Sequence, residues 1–96
     1  MSRKKIVVIE DEPDILEVLS YNLKREGYEV FNASDGLRGL ALVKREVPDL
    51  VLLDLMLPGM DGVEICSTIK KDAQTSSTLI ITSKCQGITQ RSKSND

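Results

Sequence analysis

The sequence predicts an α/β fold, a doubly wound parallel sheet with helices on both faces, and three observations support this prediction. Two short runs, residues 6–9 (IVVI) and residues 50–53 (LVLL), are wholly apolar, as in strands buried on both faces of a parallel sheet. Stretches with apolar residues at helical spacing lie between the predicted strands. Turn residues such as Pro58 and Gly59 follow the apolar runs. Because strands joined by helices pair in parallel, the chain should alternate strand and helix with right-handed connections.

Composition limits the classes of function. The 96 residues make one small domain, and 41% apolar with 29% charged residues suits a globular chain. A net charge of −2 gives no reason to expect nucleic-acid binding, and no apolar run is long enough to span a bilayer. The basic start lacks the apolar core of a signal peptide, so a cytoplasmic location is expected. The chain has no histidine, which excludes histidine-based catalysis.

The first half of the chain contains two predicted strands and the helix between them. The first strand should cover residues 5–10, and the acids at its end, with Pro13, mark the start of a helix. Gly27 should end that helix, since glycine is favoured just past a helix end. The second strand, residues 29–33, has only two central apolar residues, which favours a position near the sheet edge. The apolar face of the first helix is formed by Ile15, Val18, Leu19 and Leu23.

The second half continues the alternation. A turn at residues 34–36 precedes a second helix that should end before Pro48. The third strand is predicted over residues 49–54, the third helix over residues 62–71 and the fourth strand over residues 78–82. The apolar positions that define the helices are Leu37, Leu40, Ala41 and Val43 in the second, and Ile65, Cys66 and Ile69 in the third.

The sequence changes character at Lys84. From there to the end it is polar, and Ile88 is its one large aliphatic residue. Such a segment can supply neither a buried strand nor an amphipathic helix. Residues 1–84 are therefore expected to form the domain, and residues 85–96 a loose, disordered tail.

Acidic residues follow two of the predicted strands. Glu10 and Asp11 end the first strand, and Asp54 ends the third. Either feature alone fits an ordinary helix start or turn. Together they should meet, because the carboxyl ends of parallel strands lie at one edge of a sheet. Three close carboxylates repel one another, and an oxygen-only ligand set favours a hard cation such as Mg²⁺.

Five segments of the chain form a recognisable set of motifs: residues 6–13 (IVVIEDEP), 27–28 (GY), 33–36 (ASDG), 48–50 (PDL) and 54–62 (DLMLPGMDG). Together they resemble the receiver domain of bacterial two-component response regulators, most closely the winged-helix regulators of the phosphate-regulon type. The resemblance runs from Lys4 to about Lys84 and implies a flavodoxin-like fold.

The resemblance implies a role for each site residue. Asp54 resembles the phosphoacceptor, which takes a phosphoryl group from a sensor histidine kinase. Glu10 and Asp11 resemble the acidic pair that holds Mg²⁺, with Asp54 and the backbone carbonyl of Met56 as further ligands. Thr82 resembles the switch hydroxyl that bonds the phosphoryl group.

The family's function is not that of an enzyme with a separate substrate. The resemblance implies a domain that takes part only in its own phosphorylation and dephosphorylation. Its expected partners are the kinase and a homologous receiver, with no direct contact to nucleic acid or membrane. A one-residue slip in the fourth strand would transfer the switch role from Thr82 to Ser83.

The sequence also departs from the family pattern. Family members have a fifth strand that ends in a Lys-Pro pair, followed by a fifth helix, and this sequence has no Lys-Pro pair. The expected fold is therefore incomplete, a receiver truncated or frame-shifted after about Lys84. Its fourth strand would be an exposed apolar edge that favours association. An alternative function is a fragment that binds a kinase or regulator without productive phosphorylation, or a product without function.

Two other classes share features of the sequence. Phosphohydrolases of the haloacid-dehalogenase type need a second acid two residues after the nucleophile, where Met56 stands. Flavodoxin-like cofactor binding needs a hydroxyl- and glycine-rich loop after the first strand. Residues 10–13 (EDEP) would instead repel a phosphate. Both classes are disfavoured.

Overall fold

A computed structural model describes residues 3–54 and 61–82, and contains one parallel sheet with three helices. Strand and helix alternate as predicted, and the sheet order is β2-β1-β3-β4. The elements are β1 (Lys5–Ile9), α1 (Pro13–Arg25), β2 (Glu29–Ala33), α2 (Gly36–Glu46), β3 (Leu50–Leu53), α3 (Gly62–Lys71) and β4 (Leu79–Thr82). The predicted tail, residues 85–96, lies outside the described residues.

The strand boundaries fall slightly inside the predicted ones. Four polar residues that were expected within strands each lie just outside one: Glu10, Asp49, Asp54 and Thr78. The amides of Glu10, Asp49 and Asp54 still donate to carbonyls of a neighbouring strand, as in the 3.1 Å bond from Asp54 N–H to Ile9, and the Thr78 amide donates to Thr75 in its own loop. Glu10 and Asp54 thus begin the loops after β1 and β3, whereas Asp49 and Thr78 end the loops before β3 and β4.

β1 lies at the centre of the sheet. Its last residue, Ile9, is level with Ala33 of β2 on one side and Leu53 of β3 on the other. β2 forms one edge, as its short apolar centre predicted, and β4 forms the other edge among the described strands. Thr82 is level with Leu53. The register therefore brings the carboxyl ends of all four strands to the same edge of the sheet, here called the carboxyl edge.

Side chains cap the two helices on one side of the sheet. Asp35 accepts the Arg38 N–H at 2.8 Å at the start of α2, and Asp61 accepts the Val63 N–H at 3.0 Å at the start of α3. The start of α1 has no side-chain cap, since Glu12 makes no such bond. Asp61 is therefore the cap residue of α3.

Two helices end in left-handed backbone conformations. Gly27 follows α1 with a φ of 98°, which confirms its predicted role as a helix stop. Val47 ends α2 with a φ of 46° and precedes Pro48. A β-branched residue is unfavourable in this region, so Val47 is a strained end where a glycine would be relaxed.

One face of the sheet, here called the closed face, carries the main core. Alternate strand residues such as Val7 and Val51 pack there against buried residues of α2 and α3. The fully buried members of this cluster are Val7, Ile9, Val43, Val51, Leu53, Ile65 and Ile69. Cys66 is half-buried against the cluster, and burial raises the pKa of its thiol. The helical spacing of α3 predicted this inward position.

The other face, here called the open face, is covered in part by α1. Val8, Leu52 and Ile81 share a cavity of about 360 Å³ with Ile15 and Leu19 of α1. Ile81 is 47% exposed and Ile15 is 44% exposed. The apolar stripe predicted for α1 is therefore present, but it is only partly buried.

Polar side chains fix the loop between α3 and β4. Thr75 is buried and donates its hydroxyl to the Ile69 carbonyl at 2.7 Å. Thr78 is also buried and donates to the Pro48 carbonyl at 2.9 Å, across to the start of β3. Lys70 donates to the Thr78 carbonyl at 2.7 Å. These bonds hold β4 at a defined height beside β3.

An ion pair joins the amino end of the sheet to α2. Lys5 Nζ lies 3.2 Å from a Glu46 carboxylate oxygen, and Arg45 Nε lies 2.9 Å from the other. The hydrogen bonds from Arg45 and Lys5 lower the pKa of Glu46. This pair lies at the end of the sheet opposite to the acidic residues.

No helix within the described ranges is long and apolar enough to cross a membrane.

Candidate functional site: an acidic cluster at the carboxyl edge of the sheet

Backbone hydrogen bonds set the positions of two acids at the carboxyl edge. The Glu10 N–H donates to the Ala33 carbonyl of β2, and the Asp54 N–H donates to the Ile9 carbonyl of β1, both at 3.1 Å. Each acid thus begins where a strand has ended and is held by the neighbouring strand. The acids leave adjacent strands at the same height, as the parallel register predicted.

Three carboxylates come together at this edge. Glu10, Asp11 and Asp54 each offer one oxygen, and these oxygens all lie within 4.8 Å of one another. Glu10 is 5% exposed and Asp54 is 2% exposed, whereas Asp11 is exposed to solvent. The expected juxtaposition of the three acids is therefore observed. Carboxylates so close together repel one another when ionised, and a cation between them would offset that repulsion.

Glu10 also shapes the loop that carries Asp11. One of its carboxylate oxygens accepts the Glu12 N–H at 3.2 Å, just before α1 begins. An acid at the start of a helix can make such a bond to a backbone N–H without any metal present. The bond also orients the Glu10 side chain, so Glu10 can both support the start of α1 and act as a metal ligand.

The donor set fits Mg²⁺. All three groups that the described residues bring together are carboxylates, and carboxylate oxygens are ligands that Mg²⁺ prefers. Bonds from Mg²⁺ to oxygen are about 2.1 Å long, so oxygens within 4.8 Å of one another are near the spacing that one ion needs.

The hydroxyl expected to act as a switch lies at the same edge. Thr82 is the last residue of β4, is half-buried, and stands level with Leu53, the residue before Asp54. The structure thus places a hydroxyl-bearing residue on the strand next to the candidate phosphoacceptor. Met56, whose carbonyl was expected as a ligand, and Ser83, the alternative switch residue, lie outside the described residues.

Two residues that the sequence analysis did not single out also support the site. Ile9 accepts the Asp54 amide through its carbonyl, and Gly39 of α2 packs directly against the Ile9 side chain. Ile9 appeared only as one of four apolar strand residues. The signal that could have indicated Gly39 is a glycine in a helix interior, where it is unfavourable without a packing reason.

The arrangement suits phosphoryl transfer to a carboxylate. Asp54 lines the cavity on the open face, and its backbone is fixed by the hydrogen bond to the Ile9 carbonyl. Glu10 and Asp11 supply negative charge for a cation beside it. Because charge is concentrated at the reacting atoms in phosphoryl transfer, a cation and fixed positions are what the reaction needs.

Comparisons with known proteins identify the family of the chain. The family model for the response regulator receiver domain matches residues 6–93 of this chain, beyond Lys84, where the motif-based resemblance ended. Assignment to the phosphate-regulon winged-helix type stays a prediction.

Solved receiver structures are similar in sequence and fold. The N-terminal domain of a response regulator receiver protein from Methanoculleus marisnigri JR1 is 37% identical, with a TM-score of 0.78. That match covers 84% of this chain and 66% of the other chain. The chemotaxis response regulator CheY4 of Vibrio cholerae is 28% identical, with a TM-score of 0.81, and the match covers 84% and 68%.

A third structure is the phosphorylated cyanobacterial phytochrome response regulator RcpA. It is 30% identical with a TM-score of 0.75, and the match covers 84% of this chain and 64% of that one. This chain thus spans about two thirds of the length of the solved structures that it matches. On the family match, the shared sheet and the acids at its carboxyl edge, the chain belongs to the response regulator receiver domain family.

Proposed function

We propose that this chain is a phosphoacceptor module of a two-component phosphorelay, phosphorylated on Asp54 in a Mg²⁺-dependent reaction. The observation that carries the proposal is the approach of three carboxylates within 4.8 Å at the carboxyl edge of the sheet. Membership in the receiver family supports a sensor histidine kinase as the phosphodonor. It also supports a cytoplasmic location and a second receiver as a further partner.

Asp54 is the proposed nucleophile. A carboxylate oxygen forms a bond to phosphorus while the bond from phosphorus to the donor nitrogen breaks, and the released imidazole retains the electron pair and takes a proton. The Ile9 carbonyl fixes the backbone of Asp54 through the 3.1 Å hydrogen bond, and burial limits the orientations of its side chain. The chain therefore contributes mainly by fixing the position of the nucleophile.

Glu10, Asp11 and Asp54 are the described residues that would hold Mg²⁺, with the Met56 carbonyl as the further ligand that the family resemblance implies. When bound, the ion offsets negative charge on the carboxylates and the incoming phosphoryl group. Glu10 keeps its place through the bond from Glu12 N–H. The exposed Asp11 completes the cluster on the solvent side.

Thr82 is the proposed switch residue. The proposal is supported by its position on β4, where Thr82 is level with Leu53, the residue before Asp54. A hydroxyl there donates a hydrogen bond to a phosphoryl oxygen, and β4 then responds to the modification. The chain is proposed to act on no separate substrate, only in its own phosphorylation and dephosphorylation.

The test is phosphorylation by acetyl phosphate, with and without Mg²⁺, read by intact mass. Wild type should gain one phosphoryl group only when Mg²⁺ is present, and Asp54→Asn should gain none. Asp61→Asn is the matched control, because asparagine is as good a helix cap as aspartate. That variant removes an acid from the chain without touching the cluster, so it should be phosphorylated like wild type.

Two outcomes would contradict the proposal. Phosphorylation that persists in Asp54→Asn would mean that another residue accepts the phosphoryl group. A folded wild type that gains no phosphoryl group would favour a module that binds a kinase or another receiver without accepting phosphate. Glu10→Gln and Asp11→Asn refine the test, since each should weaken the Mg²⁺ dependence while leaving the nucleophile in place.

A further inference from the structure

Gly39 lies in the interior of α2 and packs against Ile9 of β1. A Cβ atom built at this position would lie 2.5 Å from Cδ1, 2.6 Å from Cγ1 and 2.9 Å from Cγ2 of Ile9. All three distances are shorter than real carbon contacts allow. An alanine at position 39 therefore requires that Ile9 or α2 move.

The contact cannot be relieved by rotation of one side-chain end. Cγ1 and Cγ2 are both attached to the branched Cβ of Ile9, and both would be too close. Ile9 is 1% exposed and belongs to the core cluster of the closed face, so a shift of its side chain toward that face would meet other core residues. A close-packed core transmits such a change to its neighbours.

Glycine carries a cost at this position. After proline it is the least favourable residue in a helix interior, and Gly39 is the fourth residue of α2. Its backbone is helical, with no positive φ that would demand glycine. The observed reason for glycine here is thus the space that the Ile9 side chain occupies.

Ile9 connects this contact to two members of the acidic cluster. Its carbonyl accepts the Asp54 amide at 3.1 Å, and Glu10 is the next residue in the chain. Glu10 is itself held by the bond from its N–H to Ala33. A displacement of Ile9 therefore moves the backbone of Glu10 and changes the support of Asp54 at the same time.

We infer that Gly39 is a positioning residue for the acidic cluster: by letting α2 rest directly on Ile9, it fixes the spacing between the carboxylates of Glu10 and Asp54. This inference rests on the proposed function only in what the cluster binds, since the contact and the hydrogen bond exist without an ion. Gly39→Ala should loosen the cluster, even though alanine is the better helix former.

The experiment compares Gly39→Ala with Val43→Ala on the full chain. Val43 is fully buried one turn further along α2, away from the carboxyl edge, and its truncation disturbs the same core. Each variant is first measured for stability in urea and then titrated with Mg²⁺ by amide NMR. Gly39→Ala should weaken Mg²⁺ binding roughly tenfold, the effect typical of mutating a residue that supports a metal ligand. Val43→Ala should leave the affinity near the wild-type value.

The Asp54 amide resonance of the metal-free chain gives an independent measurement. It should shift and lose hydrogen-exchange protection in Gly39→Ala beyond what the stability change accounts for, and it should not do so in Val43→Ala. Ile9→Val removes Cδ1, the atom nearest to the added methyl group. In that background, the effect of Gly39→Ala on the resonance and on Mg²⁺ binding should be smaller than in wild type.

The outcomes separate this inference from the proposed function. Equal losses of Mg²⁺ binding in the two α2 variants, or an unchanged Asp54 resonance in Gly39→Ala, would overturn the positioning role. A wild type that binds no Mg²⁺ would count against the proposed function. The inference would then still be decided by the Asp54 resonance of the metal-free chain, from its shift in Gly39→Ala and from the size of that shift in the Ile9→Val background.

Discussion

The closed and open faces of the sheet are built from neighbouring residues of the same strands, yet they differ in how well they are covered. On the closed face, Val7 and Val51 are fully buried beneath α2 and α3. On the open face, Val8 is also fully buried, but Leu52 is only partly buried beside the cavity along α1, and Ile81 of β4 is 47% exposed. The strands supply apolar side chains to both faces, but the helices of the described residues, α1 on one face and α2 with α3 on the other, cover the faces unequally.

Because the strands are apolar on both faces, the burial of a strand side chain depends on the helix that packs over it rather than on the composition of the strand. The acidic cluster lies where the open face ends, since Glu10 and Asp54 line the same cavity as Val8 and Leu52. The closed face supplies the rigid support behind the cluster through Ile9. The closed face thus contains the packed core that stabilises the fold, and the open face gives access to the acidic cluster.

The largest expected effect compares the same substitution on each face. Ile69→Ala on the closed face should lower the free energy of unfolding by about 2–5 kcal/mol, because a 1% exposed isoleucine leaves a cavity in a packed core. Ile81→Ala on the open face should cost only about 1 kcal/mol, because much of that side chain already contacts water. Urea denaturation of both variants measures the difference, and equal losses would show that the open face is covered in solution.

A smaller effect concerns how the helices begin. Asp35→Ala should cost about 1 kcal/mol, because it removes the cap from α2 on the closed face. Glu12→Ser should gain about 0.5–1 kcal/mol, because it supplies a side-chain cap that α1 on the open face lacks. Thermal denaturation, with Mg²⁺ absent, measures both changes. A loss of stability in Glu12→Ser would mean that Glu12 makes a contact worth more than a cap.

The smallest effect is a pH dependence on the closed side. Because Arg45 and Lys5 lower the pKa of Glu46 in the folded chain, the ionised form stabilises the fold above the unfolded value of about 4.5. That contribution is lost as the pH falls from 4.5 through the lowered folded pKa. Glu46→Gln should therefore be slightly less stable than wild type at neutral pH, and the gap should close on acidification. Urea denaturation at several pH values tests this, and a constant gap would contradict it.

Most of the fold could be predicted from the sequence because apolar periodicity and turn residues agree along the chain. The third helix, residues 62–71, was predicted with the bounds that α3 has. Periodicity does not show whether a neighbour covers an apolar stripe, which is why Ile15 appeared as a helix-face residue although it is 44% exposed. The same limit applies to Cys66, whose half-burial depends on the contact between α3 and the core.

The acidic cluster could be predicted because the ends of parallel strands must meet. Glu10, Asp11 and Asp54 follow directly from that rule. Gly39 could not be assigned a role in the same way, since its contact with Ile9 depends on the height at which α2 crosses β1. Such distances result from packing between elements that are far apart in sequence.

The central place of β1 has a consequence for how the chain folds during synthesis. β2 joins one edge of β1, β3 joins the other, and β4 joins β3. Each strand thus finds a free edge that earlier residues have already formed, and no strand must be inserted between two that are paired. The sheet can therefore grow outward as the chain leaves the ribosome, from the amino terminus onward. On this order the acidic cluster is completed when β3 emerges and brings Asp54 beside Glu10.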